Sequence, residues 1–205
     1  MSASPQDLMT AKLFFNAAFP TMQVLLDDDP KLHKKFQNFN ATVQFGAMND
    51  GELLCCHLIF QNGNLTVVQG PAEKSDISLT FSSVEKMNSL LKGGLSLPSI
   101  KGNLSLLPNV LSILMGLKIM TKPNDKLKND TEKLLKVKCS LYMITRALSQ
   151  YNKLGDPDMQ EFCRRQPDRI YQFQVEHDGQ PDYIACYLRV KAGQSIKEDG
   201  PVWHM

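Results

Sequence analysis

No arginine-rich stripe runs through this chain. Its 23 Lys and Arg stand against 21 Asp and Glu, a net charge of +2. That balance argues against a nucleic-acid partner. The five cysteines are an odd number with no Cys-x-x-Cys pair among them. They read as reduced thiols rather than a disulfide framework, which makes the expected compartment cytoplasmic. His33, His57, His177 and His204 include no pair spaced i, i+4, so no metal centre is expected, and the spacing of Cys163, His177 and Cys186 does not suit zinc. His57 follows Cys56 on a predicted strand, where successive side chains point to opposite faces, which excludes a local Cys-His dyad. Gly-x-Ser-x-Gly, a phosphate loop and Gly-x-Gly-x-x-Gly are all missing, so no catalytic residue and no cofactor is assigned. Cys163-Arg164-Arg165 reads as surface charge paired with Asp168 and Arg169 nearby rather than as an anion site. The N-terminus carries no positive region, and Asn16 and Pro20 break the apolar run from Leu13 to Leu26, a poor match to a signal peptide.

The stretch from Asp76 to Met120 is the most informative, and its last helix carries almost no charge. Ile77, Leu79 and Phe81 alternate with Ser78, Thr80 and Ser82, the period-2 pattern of a strand with one dry face. Ser83 caps a helical run from Val84 to Lys92 that places Met87, Leu90 and Leu91 on one side and ends at Gly93-Gly94. After Ile100-Lys101-Gly102-Asn103 comes a long apolar helix from Leu104 to Met120. A helix with no polar face must be buried in protein, lie in a membrane, or cover a cavity that holds something apolar. At 17 residues, and with Pro108 and Asn109 inside it, the run falls short of the ~18 expected of a membrane span.

Two regions resemble each other. Gln44-Phe45, Asp50-Gly51, Cys56-His57-Leu58, Gly63 and Gly70-Pro71 are matched by Gln172-Phe173, Asp178-Gly179, Cys186-Tyr187-Leu188, Gly193 and Gly200-Pro201. The offset is 128 for the early landmarks and 130 from Cys56 onward, so the second copy is longer near Gln180-Pro181. Asp29-Pro30 and Asp156-Pro157 each follow an apolar helix, Leu8 to Leu26 and Thr131 to Leu154. The pattern reads as a duplicated unit of helix, Asp-Pro break, short helix and three-strand meander. Asp50-Gly51 and Asn62-Gly63 supply hairpin turns in the first copy, Asp178-Gly179 and Ala192-Gly193 in the second. The second copy stops at Met205, without the fourth strand and the apolar helices. A three-strand meander does not stand alone easily. Its open sheet is expected to pack on the first domain or on another chain, or a further tail is expected beyond Met205. The domains predicted are residues 1–121, a linker at 122–130 and a partial second copy at 131–205. The linker region is lysine-rich but interleaved with Asp125, Asp130 and Glu132, which favours a solvated face and allows peripheral membrane contact at most.

The run Asp76-Ile77-Ser78-Leu79-Thr80-Phe81, then Ser83-Val84-Glu85-Lys86-Met87 and Leu90-Leu91-Lys92-Gly93, resembles the middle of a sterol carrier protein type-two domain. Ile100-Lys101-Gly102-Asn103-Leu104-Ser105-Leu106 resembles the opening of that family's last helix. The resemblance covers roughly residues 8 to 120. It implies an α+β fold, a mostly antiparallel five-stranded sheet with helices on one face, followed here by the partial repeat. It also implies an apolar tunnel between sheet and helices for a lipid or fatty-acyl ligand, and no catalysis. The lining positions carried over are Ile77, Leu79 and Phe81 on the strand, Met87, Leu90 and Leu91 on the first helix, and Leu107, Leu111 and Leu114 on the last. Pro108 and the helical unit that follows depart from the pattern and leave the ligand class open. Adaptable methionines (ten in the chain) suit a pocket for a flexible tail. The alternative is a structural or dimerisation module, a homodimer included, whose apolar surface is covered by the partial repeat or a second chain.

Overall fold

A computed structural model describes residues 2–176 and 184–199. The expected turn at Asp178-Gly179, the insertion near Gln180-Pro181, Gly200-Pro201, His177 and His204 lie outside the described residues. The chain divides into two compact units, Met1–Lys118 and Ile119–Met205. The fold is α+β, with a five-stranded, mostly antiparallel sheet covered on one face by helices, and then a helix, a short helix and a three-strand antiparallel meander.

Unit 1 begins with helix α1 (Pro5–Leu13), a π-helical turn (Phe14–Ala18) and helix α2 (Phe19–Asp28) in one continuous rod. The π turn has an identifiable cause. Pro20 brings no N–H and its ring crowds the carbonyl four residues back, so the chain widens there. Asn16 Nδ2 donates to Lys12 O at 2.8 Å, giving that carbonyl a side-chain donor. Asp29 then breaks the helix and caps the next, α3 (Pro30–Phe36), by accepting from the backbone N–H of Lys31 and Leu32.

The sheet of unit 1 has the order β3-β2-β1-β4-β5, from β1 (Asn40–Asn49), β2 (Glu52–Gln61), β3 (Asn64–Gln69), β4 (Ile77–Phe81) and β5 (Ser99–Gly102). Strands β1 and β4 run parallel and the other neighbours antiparallel. Asp50 and Gly51, like Asn62 and Gly63, all carry positive φ, as the tight primed turns of two-residue hairpins require. The register puts Val43, Phe45 and Ala47 beside Ile77, Leu79 and Phe81 on one side and Leu58, Cys56 and Leu54 on the other. That face is the dry one. Helix α2 also guards the β3 edge, where Gln23 Oε1 accepts from Leu65 N–H at 2.7 Å and Gln23 Nε2 donates to Gly63 O. Helix α4 (Val84–Leu91) is capped by Ser83 and ends before Gly93 at positive φ. Helix α5 (Leu107–Gly116) closes the unit.

Unit 2 contains helix α6 (Asp130–Lys153), helix α7 (Pro157–Arg165) and strands β6 (Arg169–Val175), β7 (Ile184–Lys191) and β8 (Gln194–Asp199) in the order β6-β7-β8. Asn129 caps α6 through Glu132 N–H, and the Glu132 carboxylate reaches back to Lys128 N–H. Asp156 caps α7 as Asp29 caps α3. The polar stretch read as a linker is tied to α6, since Lys122 pairs with Glu132 at 2.6 Å and Lys136 Nζ donates to Lys122 O and Asn124 Oδ1. Helix α6 lies along β7 and β8. Thr145 Oγ1 stands 3.4 Å from Cys186 Sγ, Ser149 Oγ donates to Ser195 O and Asn152 Nδ2 to Gly193 O.

Candidate functional site

The dry face of the unit 1 sheet is tiled with aromatic rings. Phe45 on β1 meets Phe19 edge-on at 5.3 Å between centroids and Phe81 at 5.4 Å, and Phe15 stacks obliquely on Phe19 at 5.8 Å. A second cluster, Phe36, Phe39 and Phe60, fills the other end at 4.9–5.5 Å. Offset and edge-to-face pairs at such spacings add to the stabilisation from burial alone.

The nine predicted lining residues fall into two groups with different neighbours. Ile77, Leu79, Phe81 and Met87 are fully buried, and they belong to β4 and to α4, which packs on α1, β1 and β4. Leu90 and Leu91 are half-buried at the end of α4. Leu107, Leu111 and Leu114 sit on α5, which packs instead on α2 and α3. Leu107 and Leu114 are half-buried and Leu111 is 46% exposed. The α5 packing is close. A Cβ added at Gly116 would stand 2.9 Å from Leu25 Cδ1 and 3.1 Å from Leu32 Cδ1. Lys35 Nζ also ties α3 to the start of α5, donating to Pro108 O and Ser112 Oγ.

The apolar helix differs from its sequence reading in two ways. It is a 3-10 turn (Leu104–Leu106), the α-helix, and a second 3-10 turn (Leu117–Thr121), with Pro108 in the first turn of α5, where a missing N–H does no harm. The stretch Leu104–Thr121 also reaches 18 residues, one more than the sequence run, and is long and apolar enough to cross a membrane by length and composition only. Val110 and Ile113 are its buried residues, and they face α2 and α3. Leu104, Leu111 and Met115 face outward, 46–60% exposed, with the half-buried Leu107 and Leu114 completing a second stripe. Nearby in sequence, Leu95 and Leu97 stand essentially bare on the loop between α4 and β5, with Lys92 and Lys101 flanking them in sequence.

All five cysteines are buried free thiols. Burial pushes the Cys56 thiol far up, with Cys55 beside it adding to the effect, and burial raises Cys55 as well. Thiols so placed stay protonated at neutral pH. His57 Nδ1 is bonded to Gly70 O, on the face opposite Cys56. Among the described residues, no three His, Cys, Asp or Glu come together as metal ligands. Arg164 and Arg165 both pair with Glu161 one turn back on α7, whereas Asp168 accepts from Ala192 N–H, so the pairing expected with Asp168 is made with Glu161 instead. The i, i+3 and i, i+4 spacing explains the choice.

Sequence reasoning did not find an apolar trough in unit 2. It has a volume of about 490 Å³ and runs between the segment Asn124–Leu127, the α6 side chains Val137, Leu141 and Ile144, and Val175 at the end of β6. A smaller hollow of about 150 Å³ continues past Lys133 and Val137 to Leu134 and Ile184. Leu134, Val137, Leu141 and Ile144 follow helical spacing, and that stripe was the available signal. Elsewhere on α6, burial pushes the Arg146 guanidinium below its ordinary value, opposed by Tyr142 and Cys186.

No family model matches the chain, and no curated protein matches it. Among solved structures, the solution structure of the sterol carrier protein domain 2 of Helicoverpa armigera is similar, at 16% identity and a TM-score of 0.41, covering 63% of this chain and 98% of that one. At that level the likeness carries nothing about ligand or activity to this chain.

Proposed function

We propose that the chain is a non-catalytic binding module for an apolar ligand of the lipid or fatty-acyl type, cytoplasmic, and held at α5 of unit 1. The observation that supports this is the outward stripe of α5. A soluble domain rarely leaves a contiguous run of leucine and methionine exposed unless something apolar meets it. Val110 and Ile113 already anchor the helix, so the outward stripe is surplus to folding. An acyl chain laid along it gains about 0.8 kcal/mol per methylene removed from water. A dozen methylenes give roughly 10 kcal/mol before ordering costs, and no hydrogen-bond code is needed. The rings packed on the sheet favour a guest that lies against α5 over one threaded deep between sheet and helices. Leu95 and Leu97, bare and flanked by lysines, suit brief contact with an anionic bilayer from which such a guest is collected.

Replacing Leu111 with Asp is expected to abolish uptake of a fluorescent fatty acid, while Lys126→Ala leaves it intact. Equal uptake by both variants rejects the assignment. The aromatic rings packed on the sheet favour a second reading, a structural or dimerisation module that takes an apolar protein surface on the same stripe. Native mass spectrometry separates them: co-purified lipid supports the first, a ligand-free tight dimer the second.

A further inference from the structure

Strands β1 and β6 carry the same Gln-Phe pair and hold the same place in their hairpins, yet one is fully covered and the other is partly exposed. Phe45 pairs with Cys56, and Phe173 pairs with Cys186. On the next strand Cys56 pairs with Gln69, and Cys186 with Asp199. Over their paired residues the two meanders therefore keep the same register. In unit 1, β1 has β2 on one side and β4 in parallel on the other, with Phe45↔Leu79 and Ala47↔Phe81 side by side. In unit 2, β6 has β7 on one side and, among the described residues, no strand on the other. Phe45 has no exposed surface, whereas Phe173 is 36% exposed and Val175 40%. The trough against α6 opens beside Val175, at the end of that strand.

We propose that this flank of unit 2 is a docking site for a strand-and-helix segment, a strand running parallel to β6 with apolar side chains at alternate positions, followed by a short amphipathic helix seated in the trough. The interface that defines the occupant is present in the same molecule. β4 and α4 of unit 1 make it on a meander of identical register, and Ile77-Ser78-Leu79-Thr80-Phe81 shows the strand chemistry required. A strand added to a sheet edge gains main-chain hydrogen bonds for affinity and alternate side chains for specificity. Phe173 takes the place that Phe45 takes against Leu79 and Phe81. The trough floor at Val137, Leu141 and Ile144 receives the apolar side of the helix.

The test adds a fluorescent peptide of the sequence Ser75–Lys92 to the full 205-residue chain and follows fluorescence anisotropy. Saturable binding is expected, with new hydrogen-exchange protection on β6. Phe173→Asp in the protein, or Leu79→Asp in the peptide, is expected to weaken it by roughly tenfold or more, as loss of a central aromatic or aliphatic anchor does. Circular dichroism checks that the exposed Phe173 substitution leaves the fold intact. Leu111→Asp, which removes fatty-acid uptake in the preceding section, is expected to leave peptide binding unchanged, so the two readings fail separately. The proposal is overturned if the peptide does not bind, or if Phe173→Asp has no effect. It is also overturned if the flank proves to be filled by a second copy, seen as a concentration-dependent dimer that the peptide does not dissociate. Displacement of the peptide by oleate from wild type and from Leu111→Asp alike, marking the trough as an amphiphile site, overturns it too.

Discussion

Truncating Phe45 and truncating Phe173 make the same chemical change at matching strand positions, and the structure sets different costs. Phe45 is fully buried between Phe19 and Phe81. Its loss removes the transfer free energy of the ring and leaves a hole that close-packed neighbours fill only partly, so Phe45→Ala is expected to cost about 3–5 kcal/mol. Phe173 keeps 36% of its surface in water. Its burial contributes roughly two-thirds of the ~1.5–3 kcal/mol of a fully buried side chain, and the vacated space opens to solvent instead of forming a cavity. Phe173→Ala is therefore expected to cost about 1–2 kcal/mol. Urea titration followed by far-UV circular dichroism reads both losses. Because the chain has two units, amide exchange on β1 and β6 assigns each loss to its own sheet. Equal costs would refute the reasoning. A larger cost at Phe173 would show that the ring is covered in solution by something the isolated chain recruits.

Three further outcomes follow from local geometry. The Lys122 ammonium, and after it Lys128 N–H, hold the Glu132 carboxyl below its ordinary 4.5. A carboxyl lowered in the folded state adds stability that is present above its unfolded value and lost as pH falls through the folded one. The stability difference between wild type and Glu132→Gln is thus expected near neutral pH and to vanish on acidification; a difference that persists or grows below the folded value contradicts this. Gly102 has φ +98, and a Cβ there would lie within van der Waals exclusion of Asp76 O, whose own backbone N–H donates to Thr42 O. Gly102→Ala is expected to destabilise the fold by more than the ~1 kcal/mol that alanine gains at unstrained glycine sites, read as a lowered melting temperature, and an unchanged melt counts against the strained geometry. Leu95→Ser with Leu97→Ser is expected to leave stability within about 0.5 kcal/mol while reducing co-sedimentation with anionic vesicles. Undiminished sedimentation removes the loop from any membrane contact.

Much of the backbone could be read from the chain because the signals are local. Asp29 and Asp156 cap the helices their Asp-Pro steps announce, and Ser83 caps α4. The alternation at Ile77, Leu79 and Phe81 gives one buried face, and Asp50-Gly51 and Asn62-Gly63 make tight turns with positive φ. What could not be read depends on partners distant in sequence. The π turn at Phe14–Ala18 needs Pro20 to be accommodated inside a helix that continues past it. Arg164 and Arg165 look equally able to meet Asp168 or Glu161 until α7 fixes Glu161 one turn away. The two stripes of α5 are both wholly apolar, and only docking on α2 and α3 decides that Val110 and Ile113 go inward while Leu111 stays out. Helical spacing marks a residue as apolar-faced and does not say what covers the face.

That distinction bears on any function the chain has. A strand does not bury its own side chains; whatever packs on it does. Phe45 and Phe173 occupy the same ladder position, and their exposure differs because β4 flanks one and not the other. The same holds on α5, where Ile113 and Leu111, two residues apart, end with 0% and 46% exposure. In both units the apolar surface left over borders an element that is already well packed on its other side: α5 against α2 and α3, and β6 against β7. Such surface is held in place by the fold without contributing to it. Filling it therefore requires little rearrangement, and the ordering cost of binding falls mainly on the guest. A flexible acyl chain or an unfolded strand bears that cost in conformational entropy, which sets a preference for guests long enough to recover it through buried area.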